Sequence, residues 1–204
     1  VDGVPGAPIS SMNDIESIRK SVEIMEKHGV KYSLLHCTNL YPTPAHLVRL
    51  GGMIELQNEF PNAIIGLSDH TINNNACLAA AALGASVLER HFTDSKDRPG
   101  PDIICSMDPK ELKELIDGSA QIQQMRGGKK EAAKEEQVTI DFAFATVVTT
   151  KELKKGDVLT HDNIWVKRPG TGEIKAEHYE SLMGRVINKD IECDEHLSWA
   201  DLEA

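Results

Sequence analysis

The sequence predicts an α/β fold in residues 1–126, a linker over 127–138 and a smaller, mostly β domain over 139–204. In residues 9–126, short apolar runs typical of strands alternate with segments of helical periodicity, at intervals of about 25–30 residues. This alternation indicates βαβ units and a parallel sheet. Because a closed (β/α)₈ TIM-type barrel takes about 250 residues, residues 1–126 can supply about half of one, or roughly four βα units.

The first predicted helix begins at Asn13, a candidate N-cap with Glu16 at the capping-box position, and ends at Gly29. Its apolar residues recur at helical spacing and would share one face: Ile15, Ile18, Val22 and Met25. The pattern therefore predicts a helix that buries one side.

The remaining elements of residues 1–126 follow from the same patterns. Three apolar runs have the length and composition of strands: 32–37, 63–70 and 86–92. A candidate fourth strand lies near 8–11, and the segment before it is expected to be irregular. Helical patterns lie over 53–59 and 75–83, and Asp108-Pro109 is expected to open a last helix that extends to Met125.

Residues 127–204 differ in character from the first part of the chain. The segment 127–138 is polar, charged and opened by two glycines, as is typical of a linker. Beyond it, 142–149 alternates like a strand, 154–157 has the composition of a turn, and 175–182 favours a short helix. These features predict a small β domain.

Bulk composition is that of a globular protein with a core of small aliphatic residues. The chain has 204 residues, of which 40% are hydrophobic, 26% charged and 4% aromatic. Its net charge of −10 at pH 7 disfavours nucleic acid and anionic membranes as partners. The four cysteines form no C-x-x-C pair, and we find no membrane-length apolar run or signal peptide. These observations predict reduced thiols and a cytoplasmic protein.

Two histidines, His70 and His91, each close one of the predicted strands. The carboxyl ends of neighbouring parallel strands converge on one rim, where ligands bind, so two neutral imidazoles there could hold a divalent metal. A pair of ligands makes an open site, suited to Lewis-acid activation of a substrate oxygen. For each histidine alone, a surface position or a satisfied core position is the competing interpretation.

Other polar residues near the predicted rim are weaker candidates. Residues two apart share a strand face, so Ser68 lies on the side of His70, and Glu89 on the side of His91. Glu89 could orient a ligand or act as an acid or base, or could form a salt bridge. Asn39 and Tyr41 follow another strand end, where turn stabilisation explains Asn39 equally well.

Two candidates lie in loops. The loop 94–102 carries mixed charge, including Asp102, with Pro and Gly residues, and it could bind substrate or be a plain solvated loop. Arg168 stands beside the turn Pro169-Gly170, where an ordinary surface charge is the simpler interpretation of the local sequence.

Several motifs occur together and in order, and as a set they resemble the sialic acid synthase family. In residues 1–126 the motifs are Leu34–Pro44, Gly66–Thr71, Leu88–Thr93 and Arg98–Asp102. In residues 139–204, Glu152–Leu159 and Trp165–Gly170 are similar to that family's antifreeze-like (SAF) domain. The resemblance covers nearly all of residues 9–204.

The resemblance implies an activity and a metal. The family condenses phosphoenolpyruvate with the open-chain aldehyde of N-acetylmannosamine, which gives N-acetylneuraminate and phosphate. The family metal is a divalent ion, commonly Mn²⁺, and the matching ligands are His70 and His91. Two histidines and water accept Mn²⁺, Mg²⁺ and Co²⁺ alike, so the sequence does not choose among them. The metal would polarise the aldehyde oxygen for attack by the enol carbon.

The resemblance also implies roles for the remaining candidates. Ser68 and Asn39 match positions near phosphoenolpyruvate, and Tyr41 and Asp102 match positions near the sugar. Glu89 matches a proposed acid/base. The SAF domain is swapped across a homodimer in the family, and Arg168 matches the arginine that it presents to the sugar.

One departure from the family pattern leaves alternatives open. The family begins with about half a barrel that this sequence lacks, including lysines that bind phosphoenolpyruvate. A half barrel exposes unpaired strand edges, so we expect this chain to depend on dimerisation and to be inactive unless the missing half is supplied. A legionaminate or other nonulosonic acid synthase, or a non-catalytic sugar-binding fragment, are the competing interpretations.

Overall fold

The chain divides into two compact units, residues 1–128 and 129–204, each built around its own buried core. This computed structural model describes residues 6–8 and 13–203. The side chains of 6–8 lie outside the description.

The first unit is a four-stranded parallel sheet in the order β1-β2-β3-β4, so each strand pairs with the next along the chain. The strands are β1 (Gly6–Pro8), β2 (Ser33–Cys37), β3 (Ile64–Asp69) and β4 (Val87–Arg90). The helices are α1 (Ile15–Lys27), α2 (Gly51–Glu59), α3 (Asn75–Ala82) and α4 (Pro109–Met125). No helix among the described residues combines the length and apolarity needed to cross a bilayer.

The predicted βαβ alternation is confirmed, with corrections at the start of the chain. A strand occupies Gly6–Pro8, where we expected irregular chain, whereas most of the candidate strand at 8–11 lies outside the described residues. The N-cap of α1 is Asp14 rather than Asn13, because the Asp14 carboxylate accepts a hydrogen bond from the Ser17 N–H at 2.9 Å. Both residue types cap helices, so composition alone could not separate two adjacent candidates.

Helix α4 begins as the sequence predicts. Asp108 is its N-cap, Pro109 follows at the first helical position, and Glu111 completes a capping box with Asp108. This start matters for the rim of the sheet, because α4 directly follows the loop that carries Asp102. The cap therefore fixes the end of that loop.

The core of the first unit lies between the sheet and its helices. Ile18 and Val22 of α1 are buried, as the helical spacing predicted, and they join Leu34 and Leu67 from the strands. Strands β3 and β4 approach so closely at Gly66 that an added Cβ would lie 2.3 Å from the carbonyl oxygen of Val87. Only glycine fits at that point in the sheet.

A buried ion pair joins β3 to β4 on the helix side of the sheet. Asp69 and Arg90 are register partners, and both side chains are 2% exposed, with Arg90 Nε 3.2 Å from Asp69 Oδ2. The other guanidinium nitrogens donate to Asn74 Oδ1 at 2.7 Å and to the carbonyl oxygens of Thr71 and Cys105 at 2.7 and 3.2 Å. The Arg90 guanidinium thus contacts four other residues, although its Nε lacks a well-aligned hydrogen-bond acceptor.

The Asp69 carboxylate is also saturated with donors. The Thr71 backbone N–H donates to Oδ1 at 3.0 Å, and the Thr71 hydroxyl donates to Oδ2 at 2.9 Å. The Cys77 thiol of α3 donates to Oδ2 at 3.7 Å, and burial holds the pKa of that thiol far above its usual range. The pair is therefore a closed polar network in which each charge depends on the other.

The second unit is a small β structure with short helical turns. Its paired strands are β5 (Thr146–Thr149) and β6 (Ile164–Lys167), which run antiparallel, and its helix is α5 (Gln137–Ala143). A 3₁₀ turn over Ala176–Leu182 matches the predicted short helix. The core includes Val147, Ile164 and Leu182, all fully buried.

The predicted strand over 142–149 and the predicted linker over 127–138 need correction. Residues 134–136 and 137–143 are helical, and the strand begins only at Thr146. Phe142 and Phe144 are exposed rather than alternating into a core. An apolar alternation of four residues fits a strand and one turn of helix alike, which is why the sequence pattern misled here.

We expect Arg90→Met to lower the free energy of unfolding by about 3–5 kcal/mol, because it leaves the Asp69 carboxylate buried without its counter-charge. Urea denaturation would measure this loss. Lys113→Met, which breaks the exposed pair with Asp117 at 2.5 Å, is the control and should cost less than about 1 kcal/mol. An Arg90→Met variant as stable as the control would show that the buried pair does not hold β3 to β4.

Candidate active site and metal centre

The polar residues of the candidate site share the face of the sheet opposite the buried ion pair. Ser68 and Glu89 are register partners on β3 and β4, and Cys37 of β2 is the partner of Ser68 on the other side. His70 and His91 follow the last residues of β3 and β4 directly. Alternation along the strands therefore sends the ion pair to the helix side and these side chains to the opposite side.

The two histidine rings lie next to each other at the carboxyl end of the sheet. Their ring centroids are 5.1 Å apart, and the planes meet at 88°. The Tyr41 ring lies 4.1 Å from the His70 ring and 5.7 Å from the His91 ring, centroid to centroid. The Tyr41 side chain thus lies beside both imidazoles, and the three rings form one cluster at the carboxyl end of the sheet.

Hydrogen bonding fixes the tautomer of His70. Its Nδ1 lies 3.1 Å from the carbonyl oxygen of Thr38, and because a carbonyl only accepts, Nδ1 must carry the proton. The Nε2 lone pair is then available as a metal ligand. The Thr43 N–H donates to the His70 carbonyl oxygen at 2.9 Å, so the loop that carries Tyr41 is tied to the same residue.

His91 faces a carboxylate. Its Nδ1 lies 3.7 Å from Asp102 Oδ2, and its carbonyl oxygen accepts a hydrogen bond from the Met107 N–H at 2.8 Å. His91 is partly exposed and the Asp102 side chain is half exposed, so both remain accessible. Two imidazoles and one carboxylate are a donor set that fits a divalent ion such as Mn²⁺.

A hydroxyl and a carboxylate lie below the histidines in the same pocket. The Ser68 hydroxyl, itself buried, donates a short hydrogen bond to the Glu89 carboxylate. The Cys37 thiol donates to Asn39 Oδ1 at 3.0 Å, and burial raises the pKa of that thiol, so it stays protonated. Asn39 is thus held at the end of β2 by its neighbour on the sheet.

The basic residues of the loop 94–102 are engaged elsewhere. Lys96 lies 2.6 Å from the Glu111 carboxylate at the start of α4, and Arg98 pairs with Asp94. In this arrangement Asp102 is the loop carboxylate that faces the histidines. Asp102 is therefore the residue of this loop that we retain as a candidate for substrate binding.

Arg168 lies in the second unit, exposed, directly after β6. The loop beside it is held firmly, because Thr146 Oγ1 donates to the Pro169 carbonyl oxygen at 3.1 Å. The Lys175 ammonium donates to the carbonyl oxygens of Gly170 and Gly172 at 2.5 and 2.9 Å. These contacts present the guanidinium on a braced loop.

Comparison with known proteins identifies the family. Residues 9–131 match the NeuB family, and residues 144–203 match the SAF domain. The first match alone spans more than half of the chain. The chain belongs to the NeuB family. The predicted resemblance and the predicted fold class are thereby confirmed.

Two curated relatives and one solved structure illustrate the similarity. A Campylobacter jejuni protein named N,N'-diacetyllegionaminic acid synthase is 39% identical over 190 residues, covering 91% of this chain and 56% of the relative. A Campylobacter jejuni pseudaminic acid synthase is 32% identical, covering 91% of this chain and 54% of the relative. The crystal structure of an N-acetylneuraminic acid (sialic acid) synthetase from Leptospira borgpetersenii is 31% identical with a TM-score of 0.60, covering 65% of this chain and 47% of that one.

The chain thus spans little more than half the length of the curated relatives it matches. Within that span, the structure brings together the predicted residues of the first unit, namely Asn39, Tyr41, Ser68, His70, Glu89, His91 and Asp102. Arg168 lies in the second unit.

Sequence reasoning missed two residues near the site, Arg90 and Cys105. Arg90 was not singled out, because a charge inside a strand gives no sign of burial. Cys105, fully buried beside Asp102, was treated only as one of four reduced thiols. His36 is structural: its ring lies against the backbone of Gly52, its Nε2 lies 2.8 Å from the Val48 carbonyl oxygen, and burial lowers its pKa.

We expect nitrogen-detected NMR to show His70 as the Nδ1–H tautomer, because Nδ1 lies 3.1 Å from the Thr38 carbonyl oxygen, which can only accept a hydrogen bond. His36 provides the internal control, since its contact with the Val48 carbonyl oxygen through Nε2 requires the opposite tautomer. Spectra recorded with both rings neutral distinguish the two tautomers. If His70 carried its proton on Nε2, its proposed ligand atom would be blocked in the metal-free chain.

Proposed function

We propose that this chain carries the metal-binding and proton-transfer part of a nonulosonic acid synthase. The reaction condenses phosphoenolpyruvate with the open-chain aldehyde of an acylamino sugar, consumes one water molecule and releases phosphate. The observation that supports it most is the adjacent imidazole pair at the carboxyl end of β3 and β4, beside the Ser68–Glu89 hydrogen bond. Membership of the NeuB family supports the same assignment.

His70 through Nε2, His91 and Asp102 would hold the divalent ion. When bound there, the ion supplies Lewis-acid polarisation of the aldehyde oxygen. Mn²⁺ is our first candidate for this ion, and Mg²⁺ and Co²⁺ are the alternatives. Neutral imidazoles contribute no negative charge, so most of the charge of the ion remains available to the substrate.

Glu89 is the acid/base of the proposal. When the enol carbon of phosphoenolpyruvate bonds to the aldehyde carbon, the aldehyde oxygen gains a proton and becomes a hydroxyl group. The Glu89 carboxyl group can hold and deliver a proton at this step, because the Ser68 hydroxyl fixes its orientation within the pocket. The pair therefore combines proton transfer with positioning.

The remaining residues would bind the two substrates. Asn39 and Ser68, held at the ends of β2 and β3, are assigned to phosphoenolpyruvate. Tyr41, whose exposed ring covers both histidines, and Asp102 are assigned to the sugar. Arg168 is assigned to the acyl group of the sugar, presented by the partner subunit of a domain-swapped homodimer.

N-acetylmannosamine is our first candidate for the sugar, with N-acetylneuraminate as the product. A second candidate is a 2,4-diacetamido sugar, favoured by the 39% identity to a protein named N,N'-diacetyllegionaminic acid synthase. The two differ in one acylamino group, so they call for different contacts around a single position of the sugar. The residues of the imidazole pair and of the Ser68–Glu89 pair serve either reaction.

A sugar-binding role without chemistry remains the alternative from a different class. The two hypotheses differ in whether a metal ion is required. A synthase needs the ion held by the imidazole pair, whereas a sugar-binding module does not.

We expect His70→Ala and His91→Ala each to weaken Mn²⁺ binding by at least about tenfold, since even an outer partner of a metal ligand contributes that much. Electron paramagnetic resonance of free Mn²⁺ would measure the affinity on this chain. His28→Ala, at the exposed end of α1, is the matched control and should bind Mn²⁺ as the unaltered chain does. Unchanged affinity in both site variants would refute the assigned ligands.

With a barrel completed as the family resemblance implies, we expect Mn²⁺-dependent phosphate release from phosphoenolpyruvate only when an acylamino sugar is present. Glu89→Gln should reduce the rate by about 10²–10⁴, the usual contribution of a positioned acid or base. Assays with N-acetylmannosamine and with a 2,4-diacetamido analogue would identify the substrate. Sugar binding without phosphate release in either assay would favour the non-catalytic alternative.

A further inference from the structure

One cluster in the first unit combines three different metal-binding groups. Ligand atoms of His91, Asp102 and Cys105 all lie within 4.8 Å of one another. Among the residues that the structure describes, no other group of three or more His, Cys, Asp or Glu side chains comes this close. The cluster shares His91 and Asp102 with the ligands proposed for the divalent ion and adds a sulfur atom.

Cys105 is held in this position by its backbone. It ends a 3₁₀ turn over Ile103–Cys105 that begins after Asp102, and its thiol donates to the Asp102 carbonyl oxygen at 3.3 Å. Its own carbonyl oxygen accepts a hydrogen bond from the buried Arg90 guanidinium at 3.2 Å. The thiol is therefore anchored next to the carboxylate by the same network that joins β3 to β4.

The Cys105 sulfur distinguishes between hard and soft metal ions. A thiol sulfur is a soft ligand, so it offers little to a hard ion such as Mn²⁺. Soft, thiophilic dications behave differently, because the metal–thiolate bond replaces the S–H bond. One nitrogen, one carboxylate oxygen and one thiolate sulfur, with a water, complete a tetrahedral Zn²⁺ site.

We propose that His91, Asp102 and Cys105 form a second metal site that binds thiophilic dications such as Zn²⁺ or Cd²⁺ in competition with the ion at the imidazole pair. Binding forms a metal–sulfur bond at Cys105 Sγ and releases the thiol proton to solvent, with no change of oxidation state. Because His91 and Asp102 are then committed, the chain cannot hold Mn²⁺ at the same time. The inference rests on the proposed function only for this competition.

The other buried thiols show why Cys105 is singled out. Cys37 Sγ lies 3.9 Å from His70 Nδ1, but that nitrogen is occupied by the Thr38 carbonyl oxygen. Cys77 lies against Asp69, whose charge is already paired with Arg90. Cys37 thus serves as a matched control: it is buried in the same pocket wall and near a histidine, yet it lacks an available second ligand.

Cobalt titration of the purified chain tests the proposal, because Co²⁺ bound to a thiolate gives an intense charge-transfer band in the near ultraviolet. We expect the band in the unaltered chain and in Cys37→Ser, and its loss in Cys105→Ser and Cys105→Ala. In competition with Mn²⁺, Zn²⁺ should bind Cys105→Ser at least about tenfold more weakly than it binds the unaltered chain. Circular dichroism confirms that the variants are folded.

The outcomes separate this inference from the proposed function. A chain that binds Mn²⁺ through His70 but shows no thiolate band with Co²⁺ overturns the inference and leaves the proposed function standing. A thiolate band that persists in His70→Ala while Mn²⁺ binding is lost supports both. Equal Zn²⁺ affinity in the unaltered chain and Cys105→Ser overturns the inference even if a band is seen.

Discussion

The contact between β3 and β4 is the constraint on which the rest of the candidate site depends. Gly66 lets the two strands approach, and the Asp69–Arg90 pair closes the helix side of the sheet. Because side chains alternate along a strand, the same pairing places Ser68 opposite Glu89 on the other side and brings His70 beside His91. A shift by one residue would move the charges to the pocket and the imidazoles away from it.

On these two strands, the residues that stabilise the fold alternate with the residues that face the candidate site. Asp69 and Arg90 contact Thr71, Asn74 and the carbonyl oxygen of Cys105, and so fix the loops beyond the strand ends. The residues on either side of them in sequence carry the donors of the pocket. Substitutions at alternate positions are therefore expected to act in different ways, through the free energy of unfolding or through metal and substrate binding.

The sequence predicted the parts of this structure that depend on local pattern. The strands that end at His70 and His91 and the capped start of α4 follow from periodicity and cap chemistry. Residues 142–143, which end the helix over 137–143, were mistaken for strand because a short apolar alternation fits both conformations. The buried pair of Arg90 and the placement of Cys105 beside Asp102 could not be predicted, since both depend on contacts between segments far apart in the chain.

Pulsed electron paramagnetic resonance of the Mn²⁺-loaded chain tests the central claim most directly, because it counts the nitrogen nuclei bound to the metal. The account predicts two inequivalent imidazole nitrogens coupled to a single Mn²⁺ ion. A bound Mn²⁺ with no imidazole coupling, held by carboxylates and water alone, would contradict it.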